Sequence, residues 1–345
     1  MAIKKITCTD LIPLLHQLPV FDVRSPGEYE HAHIPGAHSL PLFSDDERAI
    51  VGTLYKQKGK TFAIKAGLDY FGPKMTAIIT QVETQLKSLD IKDNKIVVHC
   101  WRGGMRSAGV AWLLDLYGYD VTFLVGGYKA FRNWVLERFL DAYSFKILGG
   151  YTGSAKTETI KALEKNGATC IDLEGLAHHK GSAFGGIDQP AQPSQEMFEN
   201  KLALQLKEKI DHPIWLEDES QRIGILNIPH QLWATMRKSP VFFLEIPFEH
   251  RLSHILQHYG CLSKEKLIEA VERIQKRFGP NETKMTLEFL QEDNTEAAFR
   301  ILLEYYDRQY VKSLQKREGL EMLLKKIEAK EIDPESTAKL ILNKN

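Results

Sequence analysis

The chain has 345 residues, of which 43% are hydrophobic and 26% are charged, a composition typical of globular proteins. Lys and Arg together number 45, as do Asp and Glu, so no overall positive charge indicates nucleic-acid binding, although a local basic patch stays open. The length predicts two domains. Four scattered cysteines without zinc or disulfide spacing indicate a reducing compartment. Without a signal-peptide pattern or a membrane-spanning run, a cytoplasmic protein with no membrane association is expected.

Strands and helices alternate in the first part of the chain. Apolar runs predict strands at 20–23, 38–42, 96–99 and 121–125, and helical patterns cover 45–89, the segment from 107 to 117, and 128–142. This alternation predicts an α/β domain over residues 1–142, with a mostly parallel sheet covered on both faces. Ligands bind at the carboxyl ends of the strands in such sheets.

Cys100 stands at one of those strand ends and is followed by two glycines, two arginines and a helix. Backbone amides and the helix dipole at such a turn favour the thiolate, the form of cysteine that attacks electrophiles. Arg102 and Arg106 could hold an anion beside the sulfur. The stretch therefore predicts a nucleophile in an anion-binding loop. The alternative is a small buried cysteine in a tight turn.

The strand–helix pattern starts again at Phe145. Strands are predicted at 145–148, 168–173, 213–216 and 241–246, and the pattern is helical from 248 to the end. We therefore predict a second domain over 143–345, a P-loop-like parallel α/β domain with a helical C-terminal part. The mixed-charge segment after Lys312 is predicted to be a solvated helix.

Residues 150–157 fit the phosphate-binding template G-x-x-x-x-G-K-[ST], except that Ala155 replaces its second glycine. Amides of a strand–loop–helix turn face a phosphate, Lys156 adds a charge, and Thr157 could reach a metal. The extra methyl group of Ala155 weakens the case for ATP hydrolysis more than the case for phosphate or diphosphate binding. The alternative is a turn that binds no ligand. The predicted phosphate-binding residues are Gly150, Thr152, Gly153, Ser154, Ala155, Lys156 and Thr157.

Two further segments are candidates for the same site. Glu217, Asp218 and Glu219 follow a strand, where an acid of a P-loop fold can hold Mg²⁺; a polar loop is the alternative. A loop of basic and small residues could contact phosphate or RNA, or be a plain surface loop, and comprises His179, Lys180, Gly181 and Ser182. The adjacent histidines in it lack metal-ligand spacing, so no bound transition metal is predicted.

Residues 99–107 fit the H-C-x-x-G-x-x-R-[ST] loop of cysteine phosphatases, in which the thiolate attacks phosphorus. The flanking segments 22–37 and 124–131, however, resemble the two signatures that flank the cysteine in rhodanese domains. In that family the cysteine carries a persulfide or a related chalcogen adduct. A cysteine phosphatase and a rhodanese-type sulfurtransferase with a persulfide on Cys100 stay as alternatives.

The whole chain resembles the tRNA 2-selenouridine synthase family, in which a rhodanese domain precedes a P-loop domain. The resemblance rests on the order of these domains and on the motifs at 100–107, 126–132, 179–185 and 217–224. It is weakest in the C-terminal helices. Ala155 departs from the glycine expected in the P-loop of this family.

The resemblance implies a transferase that replaces sulfur by selenium in the wobble 2-thiouridine of certain tRNAs. Selenophosphate would donate the selenium, and an S-geranylated intermediate would be made from geranyl diphosphate. Residues 150–157 would then bind the prenyl diphosphate, while Cys100, Arg102 and Arg106 would handle selenophosphate or cysteine-bound selenium. The partners implied are tRNA, recognised at its anticodon wobble uridine, and a source of selenophosphate. Asp22 and Arg24 are expected to brace the cysteine loop.

Overall fold

The computed structural model describes residues 3–260 and 262–344. The chain divides into two compact units between Arg138 and Phe139, four residues before the predicted boundary after residue 142. Each unit contains a five-stranded parallel sheet with helices packed on it, which confirms the predicted α/β class. No helix among the described residues is both long and apolar enough to cross a membrane.

The sheet of the first unit has five strands, and its middle strand ends one residue before Cys100. Its strands are β1 Lys4–Ile6, β2 Val20–Asp22, β3 His38–Ser39, β4 Lys95–His99 and β5 Asp120–Leu124, in the order β1-β5-β4-β2-β3. The central β4 is covered on both sides, and Ile96, Val97 and Val98 are almost completely buried. A two-sided cover explains why β4 is continuously apolar rather than alternating.

Seven helices accompany this sheet. They are α1 Cys8–Leu11, α2 Pro26–His31, α3 Asp45–Lys58, α4 Lys60–Phe71, α5 Met75–Ser88, α6 Met105–Tyr117 and α7 Gly127–Arg138. The helical pattern predicted over 45–89 is interrupted at Gly59 and Gly72. Helix α6 ends at Gly118, whose φ of 114° only glycine adopts readily. Apolar faces of α5 and α6 pack with β4 in one core.

The sheet of the second unit has β6 in its middle. The strands are β6 Phe145–Gly150, β7 Thr169–Cys170, β8 Ile214–Glu217, β9 Arg222–Ile223, β10 Leu226–Asn227, β11 Val241–Glu245 and β12 Leu324–Glu328. Five of them pair in parallel in the order β12-β11-β6-β8-β7, while β9 and β10 form a small antiparallel pair. The carboxyl ends of β6 and β8 are therefore neighbours.

The helices of the second unit include some that pack on the sheet and others that form a helical part with its own core. They are α8 Lys156–Lys165, α9 Leu173–Ala177, α10 Gln195–Lys209, α11 His230–Arg237, α12 Phe248–Tyr259, α13 Lys264–Phe278, α14 Pro280–Gln291, α15 Thr295–Gln315, α16 Leu320–Leu323 and α17 Pro334–Asn343. Helices α12 to α15 share a core of their own, which includes Leu252, Val271 and Leu302. This confirms the predicted helical part.

The C-terminal segment differs from its prediction. A continuous helical pattern after residue 248, and a solvated helix after Lys312, are wrong because β12 joins the sheet beside β11. Ile327 is 0% exposed, while Lys325, Lys326 and Glu328 face solvent, as suits an edge strand with one covered side. The high charge of this strand concealed it.

Two predicted strands are shorter than expected. The strand predicted at 168–173 comprises only Thr169–Cys170, because Asp172 accepts a hydrogen bond from the Gly175 amide at 2.6 Å and caps α9. The strand predicted at 38–42 comprises only His38–Ser39.

Candidate active sites

Cys100 follows the last residue of β4, and its side chain is almost fully buried. The Gly104 amide donates a hydrogen bond to Sγ at 3.3 Å, and the Ser107 hydroxyl donates one at 3.1 Å. Burial alone would raise the pKa of this thiol. Hydrogen bonds from Ser107 and Gly104, together with the charge of Arg106, outweigh burial and lower the pKa below its usual value. The loop therefore favours the thiolate.

The turn after β5 holds this loop in place. Gly127 has a φ of 58°, and a side chain there would collide with the carbonyl oxygen of Cys100. The Tyr128 amide donates to that same oxygen at 2.9 Å. Gly103 has a φ of 61° and lies against the Leu124 carbonyl, which a Cβ would approach to 2.8 Å. Close backbone contact explains why both turns need glycine.

The two arginines of the loop differ in environment. Arg106 donates from Nη1 to Glu28 Oε2 at 2.7 Å, and Arg48 Nη2 lies 3.5 Å from the other oxygen of Glu28. Burial favours the neutral Glu28, but the hydrogen bond and charge of Arg106 dominate and lower the pKa of this carboxyl. Arg102 is exposed. An anion at Cys100 would thus meet Arg106 already oriented by a carboxylate.

Asp22 and Arg24 form a buried ion pair behind the loop, with a distance of 2.6 Å from Oδ2 to Nη2. The same Nη2 donates to the Ala32 carbonyl at 2.7 Å, and the guanidinium carbon lies 3.9 Å from the ring centroid of Tyr128. Since Tyr128 also bonds the Cys100 carbonyl, this contact connects the ion pair to the cysteine loop. The geometry agrees with the expected bracing role.

The second candidate site begins where β6 ends at Gly150 and α8 begins at Lys156. Lys156 donates from Nζ to the Gly150 carbonyl at 3.2 Å, so its charge lies across the loop. Gly153 has a φ of 80°, and a Cβ there would come within 2.7 Å of Ile255 Cδ1. The Ser154 hydroxyl donates to the Tyr151 carbonyl at 2.6 Å. The strand, loop and helix have the arrangement that phosphate binding needs.

Ala155, the departure from the template, caps α8 in the left-handed conformation, with φ 53° and ψ 42°. This conformation costs an L-residue about 1–2 kcal/mol relative to the ordinary helical region, whereas glycine adopts it freely. The alanine therefore occupies a conformation that glycine would adopt without strain, and it adds a methyl group at this point of the loop.

Two acids meet at the end of β8. The Thr157 hydroxyl donates to Glu174 Oε2 at 2.7 Å. Glu174 and Glu219 are hydrogen-bonded to each other. Burial raises the pKa of Glu174 and raises that of Glu219 well above its usual value. The nearby charge of Lys156 lowers both pKa values but does not outweigh burial. The two carboxyl groups therefore share a proton. Glu174 was not predicted from sequence; an acid in the first turn after β7 is the signal that could have indicated it.

The other two acids after β8 have different surroundings. Glu217 is fully buried, accepts a hydrogen bond from the Leu173 amide at 3.1 Å, and has its pKa raised well above the usual value by burial. Asp218 accepts from the Tyr310 hydroxyl and from Arg317, each at 2.6 Å. Asp218 thus ties α15 and Arg317 to the sheet, and Glu219 is the acid that lies nearest to Glu174.

The predicted basic loop covers these acids. Gly181 has a φ of 68°, and a Cβ there would approach Glu219 Oε2 to 2.9 Å and Glu174 Oε1 to 3.0 Å. Lys180, Gly181 and Ser182 line one cavity of about 660 Å³ together with residues 152–158 and 218–220. Thus the structure brings together three segments that are far apart in sequence. His179 is not among the lining residues.

Part of the lining of this cavity, called its apolar wall, is apolar and aromatic. Its residues lie in α12, α13 and α15 and just after the basic loop: Phe184, Ile255, Tyr259, Ile274, Phe299, Leu302, Leu303, Tyr305 and Tyr306. The same helices also contribute polar lining residues, namely His254, His258, Arg277, Gln309 and Ser313. Sequence analysis did not predict this wall, although the apolar faces of these helices were available as a signal. The cavity therefore combines the residues of the P-loop with apolar side chains.

Comparison with known proteins first defines the class. Residues 7–133 match the family described as rhodanese-like domain, and residues 143–333 match the family described as tRNA 2-selenouridine synthase AAA domain. Curated tRNA 2-selenouridine synthases are similar along most of their length. The relative from Sulfurovum sp. is 33% identical, with 86% of this chain and 89% of the relative covered. The relative from Marinobacter nauticus is 33% identical, with 88% of this chain and 90% of the relative covered. The relative from Bdellovibrio bacteriovorus is 38% identical, with 79% of this chain and 73% of the relative covered.

The chain therefore belongs to the tRNA 2-selenouridine synthase family, which confirms the resemblance inferred from its motifs. The roles assigned above to single residues stay predictions.

Proposed function

We propose that this protein is a cytoplasmic tRNA-modifying transferase that replaces sulfur by selenium in wobble 2-thiouridine, with selenophosphate as selenium donor. Curated relatives that share a third of their residues with this chain are named tRNA 2-selenouridine synthase. The structure supports the proposal with two separate sites suited to anions, one around Cys100 and one around Lys156. Two phosphate-containing donors would need two such sites.

The observation that carries the geranyl step is the two-sided character of the cavity around Lys156. The amides of residues 152–157 and the Lys156 ammonium would bind the diphosphate of geranyl diphosphate. The apolar wall would cover its hydrocarbon chain, at about 0.8 kcal/mol for each buried CH₂. A prenyl chain has no polar group that needs a hydrogen-bond partner, so it suits the apolar wall.

In the first step, the sulfur of thiouridine attacks the carbon that carries the diphosphate. A C–S bond forms, the C–O bond breaks, and diphosphate leaves with the electron pair, stabilised by Lys156. In the second step, the selenium of selenophosphate attacks C2 of the uridine, and the geranyl thiolate leaves. Water then cleaves the Se–P bond and releases phosphate. We assign the handling of selenophosphate to Cys100, Arg102 and Arg106.

Mg²⁺ fits the P-loop end of the cavity. The Thr157 hydroxyl and the carboxyl groups of Glu174 and Glu219 are hard oxygen donors placed together, as Mg²⁺ requires. These residues would hold the ion, which would supply positive charge next to the diphosphate. Binding would release the proton that the two carboxyl groups share.

Nucleoside mass spectrometry of bulk tRNA tests the proposal in cells that carry this protein or its variants. Cys100→Ala is expected to abolish selenouridine while geranylated thiouridine still forms. Lys156→Ala is expected to abolish geranylated thiouridine. Cys8→Ser and Lys165→Ala serve as controls, because Cys8 lies in α1 and Lys165 pairs with Glu335 at the surface. Unchanged selenouridine in Cys100→Ala would show that the central assignment is wrong.

The acidic thiol of Cys100 also fits rhodanese-type sulfur transfer through a persulfide. That function predicts turnover of thiosulfate with a simple thiol acceptor in the absence of tRNA. A protein that forms the persulfide and turns over thiosulfate, yet leaves the selenouridine of tRNA unchanged, would favour sulfur transfer. Release of phosphate from a phosphomonoester would instead favour a cysteine phosphatase.

A further inference from the structure

A cluster of three potential metal ligands lies beside the P-loop. Glu158 is in the first turn of α8, and His254 and His258 lie one turn apart on α12, so both imidazoles project from the same face of that helix. One ligand atom from each residue lies within 4.8 Å of the others. His254 Nε2 is 3.9 Å and His258 Nε2 is 3.8 Å from Glu158 Oε1.

These distances are longer than those of hydrogen bonds, but they are close to the distances between neighbouring ligand atoms around one metal ion. With metal–ligand bonds of about 2.0–2.1 Å, neighbouring ligand atoms of a tetrahedral site lie about 3.4 Å apart. Side-chain movements of less than about 1 Å would bring the three atoms to that geometry. The two imidazole rings, whose centroids are 4.3 Å apart at 73°, do not block each other.

The charges around the cluster agree with metal binding. His254 and His258 are aromatic nitrogen ligands that project toward one carboxylate. Glu158 supplies a negative charge. Two imidazoles and one carboxylate are a ligand set that suits zinc, and such sets leave a further position open in catalytic sites.

We propose that Glu158, His254 and His258 bind one zinc-type divalent metal ion. All three residues line the cavity that Lys156 also lines, so an open coordination position would be accessible to a ligand in that cavity. An oxygen of a phosphate or a sulfur or selenium atom could occupy it. This site differs in residues and ligand chemistry from the Mg²⁺ position at Thr157, Glu174 and Glu219, and it does not depend on the proposed function.

Zinc binding by the full-length protein tests the site. Protein stripped of metal with a chelator is titrated with Zn²⁺ against a chromophoric competitor, in the presence of excess Mg²⁺. We expect one high-affinity equivalent, and Co²⁺ in its place should give the strong visible absorption of a four-coordinate site. Glu158→Gln and His258→Ala should each weaken binding by at least about tenfold, since even the loss of residues that only support ligands has an effect of this size.

The variants are chosen to leave the fold intact. The side chains of Glu158 and His258 are each 44% exposed. His250→Ala is the matched control, because His250 is an exposed histidine on the same helix that lies outside the cluster; it should bind zinc like the unmodified protein. No high-affinity equivalent in the unmodified protein, or equal affinity in all three variants, overturns the proposal.

Discussion

Hydrogen-bond donors and the guanidinium of Arg106 lower the pKa of the Cys100 thiol, although burial alone would raise it. The Ser107 hydroxyl is the donor that contributes most. It reaches the sulfur because α6 begins immediately after the glycines of the loop, which places Ser107 in the first turn of the helix. The largest of the effects that lower the pKa of this thiol thus comes from one side chain that can be removed.

Ser107→Ala is expected to raise the pKa of the Cys100 thiol, because burial stays and the largest opposing hydrogen bond is lost. The pH dependence of alkylation by iodoacetamide, followed for each cysteine by mass spectrometry, measures this change. The profile of Cys100 should move to higher pH, and its rate at neutral pH should fall.

Cys8 and Cys170 provide internal controls, since burial raises the pKa of each to about 12 and both should react slowly in either protein. An unchanged alkylation profile of Cys100 in Ser107→Ala would contradict the role given to the hydroxyl.

At the scale of elements, the P-loop contains one residue, Ala155, in a left-handed conformation that is unfavourable for alanine. Ala155→Gly is expected to raise the free energy of unfolding by about 0.5–1 kcal/mol. Relief of the left-handed strain contributes about 1–2 kcal/mol, while the greater freedom of glycine in the unfolded chain offsets about 0.4–1 kcal/mol. Urea unfolding followed by circular dichroism measures the change.

Ala162→Gly is the matched control, because this alanine lies within the same helix in an ordinary helical conformation. It should lower the free energy of unfolding by about 1 kcal/mol or more. Destabilisation by both changes would mean that Ala155 is not strained.

Local patterns explain which elements could be predicted. The cysteine turn and the P-loop were evident because glycines, arginines and a lysine must stand at fixed spacing for their backbone and charge to work. β12 was missed because it is an edge strand in which only Ile327 is fully buried, so its sequence has little apolar pattern. Glu174 and the apolar wall of the cavity depend on packing between distant segments, which periodicity does not show.

Across the whole molecule, the pKa values of buried acids are shifted in opposite directions in the two units. In the first unit, the pKa of Asp22 and of Glu28 is lowered despite burial, because cationic partners dominate. In the second unit, burial raises the pKa of Glu217 and of Glu219 well above the usual value. At Glu217 and Glu219 the folded protein therefore binds protons more tightly than the unfolded chain, and at Asp22 and Glu28 it binds them less tightly.

The buried acids of the two units should respond to acidification in opposite directions. The contribution of Glu217 and Glu219 to the stability of the second unit rises as the pH falls toward about 4.5, the ordinary value of glutamate, because protons bind preferentially to the folded form. The contribution of Glu28 and Asp22 to the stability of the first unit is lost as the pH falls below about 4.5, through their lowered pKa values. Burial also lowers the pKa of His99 in the first unit and of His179 in the second, so each unit loses the contribution of that histidine as the pH falls below about 6.5. Hydrogen exchange read by mass spectrometry, corrected for intrinsic rates, reports each unit separately in the full chain.

Glu219→Gln should remove part of the gain in the second unit and leave the first unit unchanged. A pH response of the second unit that is the same in Glu219→Gln as in the unmodified protein would contradict this assignment of protonation.

The contact between Gly127 and Cys100 has a consequence during synthesis of the chain. The cysteine loop acquires its packed form only when the turn after β5 lies against it, and that turn is made 27 residues after the cysteine. A nascent chain that ends before Gly127 lacks this support, so its sulfur retains the acidity of an ordinary thiol. Completion of the first unit therefore both buries Cys100 and lowers the pKa of its thiol.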